Sequence, residues 1–283
     1  NFDLSFLSSF GKNKVNKING FLSGKLNLWG SLSDIKLKGQ TLINKGNLFL
    51  PITNTEYKIK DRTPIYFQDQ SIKFVNTELV DVYENTFATA NGNIFHKNFK
   101  EWGMDLDVSS QRLLVFNKTK NLESRFYGKG FLNGQASFNG PFKSLNLSVS
   151  GVTANGTNIV IPWQENKGLS DTSFIDFVPK SQKKVKESIN KLSFFDEQVR
   201  GFEMIFDLGI TRDAELEIVV DQKSGSTLSG RGNGKILIET NTDGKFNIFG
   251  DYITYDGTYN FKNLGLIDKK FIVKSGGSII WNG

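Results

Sequence analysis

The chain has 283 residues, enough for one elongated domain or two compact ones, and it is rich in Phe (25) and Gly (28) but has only 5 Pro. It has no cysteine, which excludes disulfides and thiolate metal sites, and a single histidine, which excludes a His-rich metal cluster. The net charge of +6 suits anionic lipid or polysaccharide, but Lys is interspersed with Asp and Glu, without the dense basic stripe of nucleic-acid binders.

The chain opens on Asn1-Phe2-Asp3-Leu4 and closes on Trp281-Asn282-Gly283 after an apolar run, so it is expected to be a segment of a longer protein. No stretch nears the run of about 20 apolar residues that spans a bilayer, and no signal-peptide pattern opens the chain. An anchor or export signal is expected outside this segment.

Period-2 alternation dominates from Gly20 onward. Gly20, Leu22, Gly24, Leu26, Leu28, Gly30 and Leu32 occupy one face, while Lys25, Asn27 and Ser31 stand on the other with Phe21 and Trp29. That is a strand with one buried face. The same text returns about 110 residues later: Gly20-Phe-Leu-Ser-Gly24 answers Gly130-Phe-Leu-Asn-Gly134, and Gly46-Asn-Leu-Phe-Leu-Pro51 answers Gly156-Thr-Asn-Ile-Val-Ile-Pro162. An internal β repeat follows, of the kind that stacks into elongated sheets.

Short strands are expected between the copies at 64–67, 72–75, 87–95, 104–108 and 113–116. Residues 163–200 break the pattern; the run 182–191 reads as a flexible loop or a short helix. Strands resume at 202–210, then Ala214, Leu216, Ile218 and Val220 share a face opposite Glu215 and Glu217. Gly230-Arg-Gly-Asn-Gly234 opens a strand through Ile236 and Ile238. Thr242-Asp-Gly244 turns into Phe246, Ile248, Gly250 and Tyr252, and Tyr255-Asp-Gly257 is expected to turn again into Tyr259 and Phe261. Three units result: 1–162, a repeat-containing β segment; 163–200, a loop or flexible insertion; and 201–283, a β-meander continuing the same groove.

Catalytic chemistry finds little support. His96 has no nucleophile near it in sequence and reads as a strand-end residue. Asp105 and Asp107 share a strand face, where solvated acids are far commoner than a glycosidase pair. The glycines at 230–234 lack the Lys-Ser/Thr pair of a phosphate loop, and a strand follows them instead of a helix. No cofactor, metal or enzymatic activity is expected.

The apolar faces have two open readings. They pack a closed core, as in a β-sandwich, or they line the concave side of a sheet bent into a trough. A trough suits acyl chains, at about 0.8 kcal/mol per buried CH₂. Leu22, Leu26, Leu28, Leu132, Phe138, Ile218, Ile236, Ile238, Phe246 and Ile248 are the candidate liners, subject to strand register.

Several runs in succession resemble the C-terminal conserved region of the TamB family. They are Phe206-Asp-Leu-Gly-Ile-Thr-Arg-Asp-Ala-Glu-Leu-Glu-Ile-Val-Val-Asp221, Leu228-Ser-Gly-Arg-Gly-Asn-Gly-Lys-Ile-Leu-Ile-Glu-Thr240, Gly244-Lys-Phe-Asn-Ile-Phe-Gly-Asp-Tyr252, Gly257-Thr-Tyr-Asn-Phe261 and Phe271-Ile-Val-Lys-Ser-Gly-Gly-Ser-Ile-Ile-Trp-Asn-Gly283. Upstream, Asp61-Arg-Thr-Pro-Ile65, Gly156-Thr-Asn-Ile-Val-Ile-Pro162 and Asp176-Phe-Val178 fit a Bacteroidota-type version. The resemblance implies an AsmA-like protein of the Gram-negative envelope, anchored in the inner membrane and crossing the periplasm toward the outer membrane. Its implied fold is an all-β, elongated, curved, antiparallel-rich sheet stack (a β-taco with an open groove). Its implied partners are phospholipid acyl chains, an Omp85-type outer-membrane barrel of the TamA kind, and outer-membrane protein clients. The expected function is phospholipid conduction between the membranes. Assistance to barrel-protein insertion and a purely structural solenoid are the alternatives.

Overall fold

Alternating Phe, Leu, Ile, Val and Thr with few prolines favours long strands, and the computed structural model bears this out. It describes residues 2–4, 17–31, 34–51, 53–120, 126–162, 201–263 and 266–283. In chain order the strands are β1 (Phe2–Asp3), β2 (Lys17–Ser31), β3 (Asp34–Leu50), β4 (Thr55–Ile59), β5 (Thr63–Asp69), β6 (Ser71–Asp81) and β7 (Phe87–Lys97). There follow β8 (Glu101–Lys118), β9 (Tyr127–Pro141), β10 (Leu145–Thr153), β11 (Asn158–Pro162), β12 (Phe202–Ile210) and β13 (Glu215–Asp221). The last are β14 (Ser226–Asn241), β15 (Phe246–Asn263), β16 (Ile267–Ile272) and β17 (Ser278–Asn282). The described residues contain no helix, and their strands form a single sheet.

Each strand bonds to its neighbours in sequence, so the sheet is a stack of rungs. Some rungs are one long strand; β8, with 18 residues, is about 60 Å end to end. Others are split in two: β4 and β5 together pair with β3 on one side and β6 on the other. The pairs β10/β11, β12/β13 and β16/β17 are split in the same way. All pairings are antiparallel except one step, where β10 and β11 run parallel to β12 and β13. The expected 182–191 loop or helix lies outside the described residues.

The internal repeat is a repeat of hairpins. β2 and β9 span Lys17–Ser31 and Tyr127–Pro141, offset by 110 residues. Their registers match as well: Leu26 opposite Gly39 and Leu28 opposite Leu37 become Ala136 opposite Val149 and Phe138 opposite Leu147.

A crease crosses the rungs where strands split or bulge. In the first part it passes the β2 irregularity between Asn19 and Phe21, Lys45, the break at residues 60–62, and the β6 irregularity between Phe74 and Thr77. Lys45, Arg62 and Asn76 all adopt positive φ there, and Asp61 Oδ1 accepts the Lys45 N–H at 2.6 Å. Further on it passes Ser110–Leu113 in β8, the breaks 154–157 and 211–214, Arg231/Gly232 in β14, and the break 273–277. Bulges bend the bulged strand and raise its twist, so a continuous line of them divides every rung into two limbs.

Two sequence expectations change here. The runs 104–108 and 113–116 are one strand, β8, because the bulge at 110–113 interrupts alternation without ending the pairing. Tyr255-Asp-Gly257 is not a turn. It lies inside β15 at the crease, where Arg231 and Gly232 face Asp256 and Thr254 and the extra residue, Tyr255, is absorbed as a bulge. Thr242-Asp-Gly244 does turn: Asn241 Oδ1 accepts the N–H groups of Asp243 (3.0 Å) and Lys245 (2.9 Å), and Gly244 takes φ +101.

One end of the β6–β7 hairpin is built on a buried carboxylate. Asp81 is fully buried; it accepts the N–H groups of Tyr83 (3.0 Å), Glu84 (2.8 Å) and Thr86 (2.6 Å) and the Thr86 hydroxyl. Beyond this short hairpin the flanking rungs meet directly. Asn117 N–H donates to Thr53 O at 2.9 Å, and the Tyr57 hydroxyl donates to Leu114 O at 2.8 Å. Burial, with the Asp81 charge adding to it, pushes the Tyr57 pKa up to about 12, so the phenol stays protonated as that bond requires.

Candidate apolar trough

Residues directly opposite one another on paired strands share a face, so the registers trace each face across the stack. One ladder runs Gly24, Thr41, Ile65, Phe74, Gly92, Leu106, Phe138, Leu147, Met204, Thr240, Phe246. It makes ten steps, about 48 Å at the usual spacing between strands, and contains no charged residue. A parallel ladder runs Ala90, Val108, Ala136, Val149, Phe206, Ile238, Ile248. A third runs Gly134, Gly151, Leu208, Ile236, Gly250, Trp281.

The opposite face has another character. One of its ladders reads Asn91, Asp107, Ser137, Ser148, Ile205, Glu239, Asn247. Asp107 sits there, exposed, and accepts a hydrogen bond from the Ser137 hydroxyl. Asp105 and Asp107 thus lie on the wet side, as solvated acids do. The glycines at 230–234 lie within β14, where backbone passes close: a Cβ on Gly230 would stand 2.6 Å from Asp256 O.

Along the trough the degree of filling changes. In the first rungs the limbs close on each other, and Leu4, Ile43, Ile65 and Phe67 are buried with Ile18 and Ile59 packed against them. Leu4 enters from β1, its N–H bonded to Gly20 O at 2.9 Å. From β9 onward most inward apolar residues are only half-buried. There a hollow of about 170 Å³ opens between limbs, with Ile161, Leu216, Ile218 and Leu228 on one side and Tyr252, Ile279 and Trp281 on the other. It is smaller than the 300–1,000 Å³ of enclosed small-molecule pockets.

The ten candidate residues fall on the apolar side. Phe138 and Phe246 stand in the first ladder, Ile238 and Ile248 in the second, Ile236 in the third. Leu22, Leu26 and Leu28 lie on the Gly24 face of β2; Leu22 packs against the first core, while Leu26 and Leu28 are 39% and 67% exposed. Leu132 is buried opposite Leu113 and Thr153, and Ile218 lines the hollow. Met204 and Tyr252, 3% and 5% exposed, belong to the same face and were not among the ten. Their parity with Phe206 and with Phe246 was the available signal.

His96 ends β7 beside the turn to β8. It is buried, stacked on Phe99 at 4.2 Å and tilted against Trp102 at 4.7 Å. Its Nδ1 accepts the Phe99 N–H at 3.2 Å, which places the neutral ring's proton on Nε2. Burial pulls its pKa below 6.5. In the window below 6.5 the unfolded chain therefore binds the proton more readily, and the contribution present above 6.5 is lost as pH falls. Urea midpoints at pH 7.5 and 5.5 should fall more in the native chain than in His96→Gln; equal falls would refute a role for His96. Among the described residues no group of three or more His, Cys, Asp or Glu side chains could hold a metal ion.

A family model described as the TamB C-terminal domain matches residues 79–283. No curated protein and no solved structure matches the chain.

Proposed function

Because the chain belongs to the TamB family, whose members are transport and assembly components of the Gram-negative envelope, we propose that this segment is periplasmic and carries phospholipid acyl chains along its trough between the inner and outer membranes. The uncharged ladder from Gly24 to Phe246, facing away from a polar outer side, is the observation that supports this reading. Eight methylenes laid along such a face would gain about 6 kcal/mol, enough to hold a lipid without enclosing it. No chemistry is needed, since the cargo leaves as it arrived. The parent protein would hand lipid to an outer-membrane partner of the Omp85 barrel type.

A second reading, guidance of outer-membrane β-barrel clients, rests on a different feature. Past Leu22, β2 bonds only to β3 among the described residues, leaving an edge able to take a client strand.

Native mass spectrometry with lipid extraction, on protein purified from bacterial envelopes, separates these readings. The native chain should retain phospholipid, and Leu26→Asp with Phe138→Asp should reduce it at least tenfold while the sheet signal in circular dichroism persists. A folded native chain without lipid would shift the function to the strand edge or to a structural stack.

A further inference from the structure

The β15–β16 hairpin outreaches the rest of the sheet. β14 pairs with β15 only as far as Thr227 opposite Asn260, and Ser226 Oγ accepts the Lys262 N–H at 3.0 Å as the last tie to a third strand. β15 and β16 continue as a two-stranded ribbon to Asn263 opposite Ile267, where the Leu266 N–H donates to Asn263 O at 2.9 Å. The ribbon exposes large apolar side chains: Leu266 87%, Ile272 89%, Phe271 50% and Ile267 41%. Lys262, Lys269, Lys270 and Lys274 surround them against Asp268 alone, and none of the four makes an ion pair among the described residues.

We propose that this ribbon is a membrane-surface anchor, its apolar tip entering the headgroup boundary of an anionic phospholipid bilayer and its lysines meeting the lipid phosphates. Alternation puts Phe271 and Ile267 on one face of β16 and Ile272 on the other. A protein partner covers one contiguous face, typically about 800 Å²; a bilayer surrounds a tip from all sides and rewards apolar groups on both. The uncompensated positive charge selects the anionic surface, at a gain that compounds with each lysine. A two-stranded ribbon is marginal alone in water, and insertion would order it. This anchor does not rest on the lipid-carrying reading, since the ribbon would dock whatever the trough holds.

The absence of cysteine allows a single label. Leu266→Cys, carrying an environment-sensitive dye, should shift to the blue on mixing with phosphatidylglycerol/phosphatidylethanolamine vesicles and stay unchanged with phosphatidylcholine vesicles. A label at Ser148→Cys on the polar face should not move in either. Changing Lys262, Lys269 and Lys270 to Gln should lower partitioning to anionic vesicles about 100-fold while leaving co-purified lipid unaltered. An unmoved Leu266 label would overturn the proposal, as would equal shifts in neutral vesicles. A shift only in membranes containing an outer-membrane barrel protein would assign the ribbon to a protein partner and overturn it too.

Discussion

Gly134→Val is expected to destabilise the sheet by about 3–4 kcal/mol, more than any surface change in the chain. A Cβ at Gly134 would stand 2.2 Å from Ser150 O and 2.6 Å from Gly151 Cα. Both are backbone atoms of the paired strand, so no side chain can turn aside to make room. Relief would need β9 and β10 to separate, at the point where Gly134 faces Gly151 and the third ladder starts. Gly130, on the same strand, supplies the internal control. Its added Cβ meets only Phe116 Cβ at 3.2 Å and Ile159 Cδ1 at 3.6 Å, so Gly130→Ala should cost under about 1 kcal/mol. Thermal melts should show a fall of about 8 °C or more for Gly134→Val and little for Gly130→Ala. Equal shifts would mean that the close approach is relieved by small backbone movements.

Ile238→Glu should stop lipid transfer while barely changing lipid retention. A trough that carries cargo along its length is a series path, and its slowest rung sets the rate. Ile238 lies between Phe206 and Ile248 in an uncharged ladder. A carboxylate there must either stay hydrated in the path of the chains or be buried at several kcal/mol. Each kcal/mol added to the crossing slows it roughly fivefold, so a loss of 100-fold or more in transfer is expected. Retention, summed over all rungs, should fall less than twofold. Vesicle-to-vesicle transfer of a fluorescent phospholipid by the parent protein measures the first, and lipid extraction the second. Ser148→Glu, on the polar ladder, is the control and should alter neither. Proportional losses in both assays would describe a storage site and not a conduit.

The faces were readable because alternation is a property of each strand alone, and the hairpin offset by 110 residues was readable because matching glycines sit at matching registers. The crease was not. Lys45, Arg62 and Asn76 turn the chain through single left-handed residues, and of these only Asn is a residue type enriched in that conformation. A bulge also reverses alternation, so β8 reads as two strands and Tyr255-Asp-Gly257 as a turn, although pairing runs through both. Nor did the text carry the difference between the filled first rungs and the half-open later ones. That depends on which limb meets which across the crease, as Ile18 and Ile59 meet Ile65 and Phe67, and sequence periodicity holds no information about such distant pairs.

The single parallel step has a consequence for how the chain tolerates change. Every other junction is a hairpin or a short break, where added residues strain the register on both sides. At this seam β11 ends at Pro162 and β12 begins at Phe202 beside Leu145, so the chain must return past a whole rung before pairing again. The closure entropy of such a connection grows only with the logarithm of its length, and doubling it costs about 0.6 kcal/mol. The seam is therefore the one place in the stack where evolution or engineering can splice in a reporter or a foreign module at almost no thermodynamic expense, leaving the rungs on either side in register.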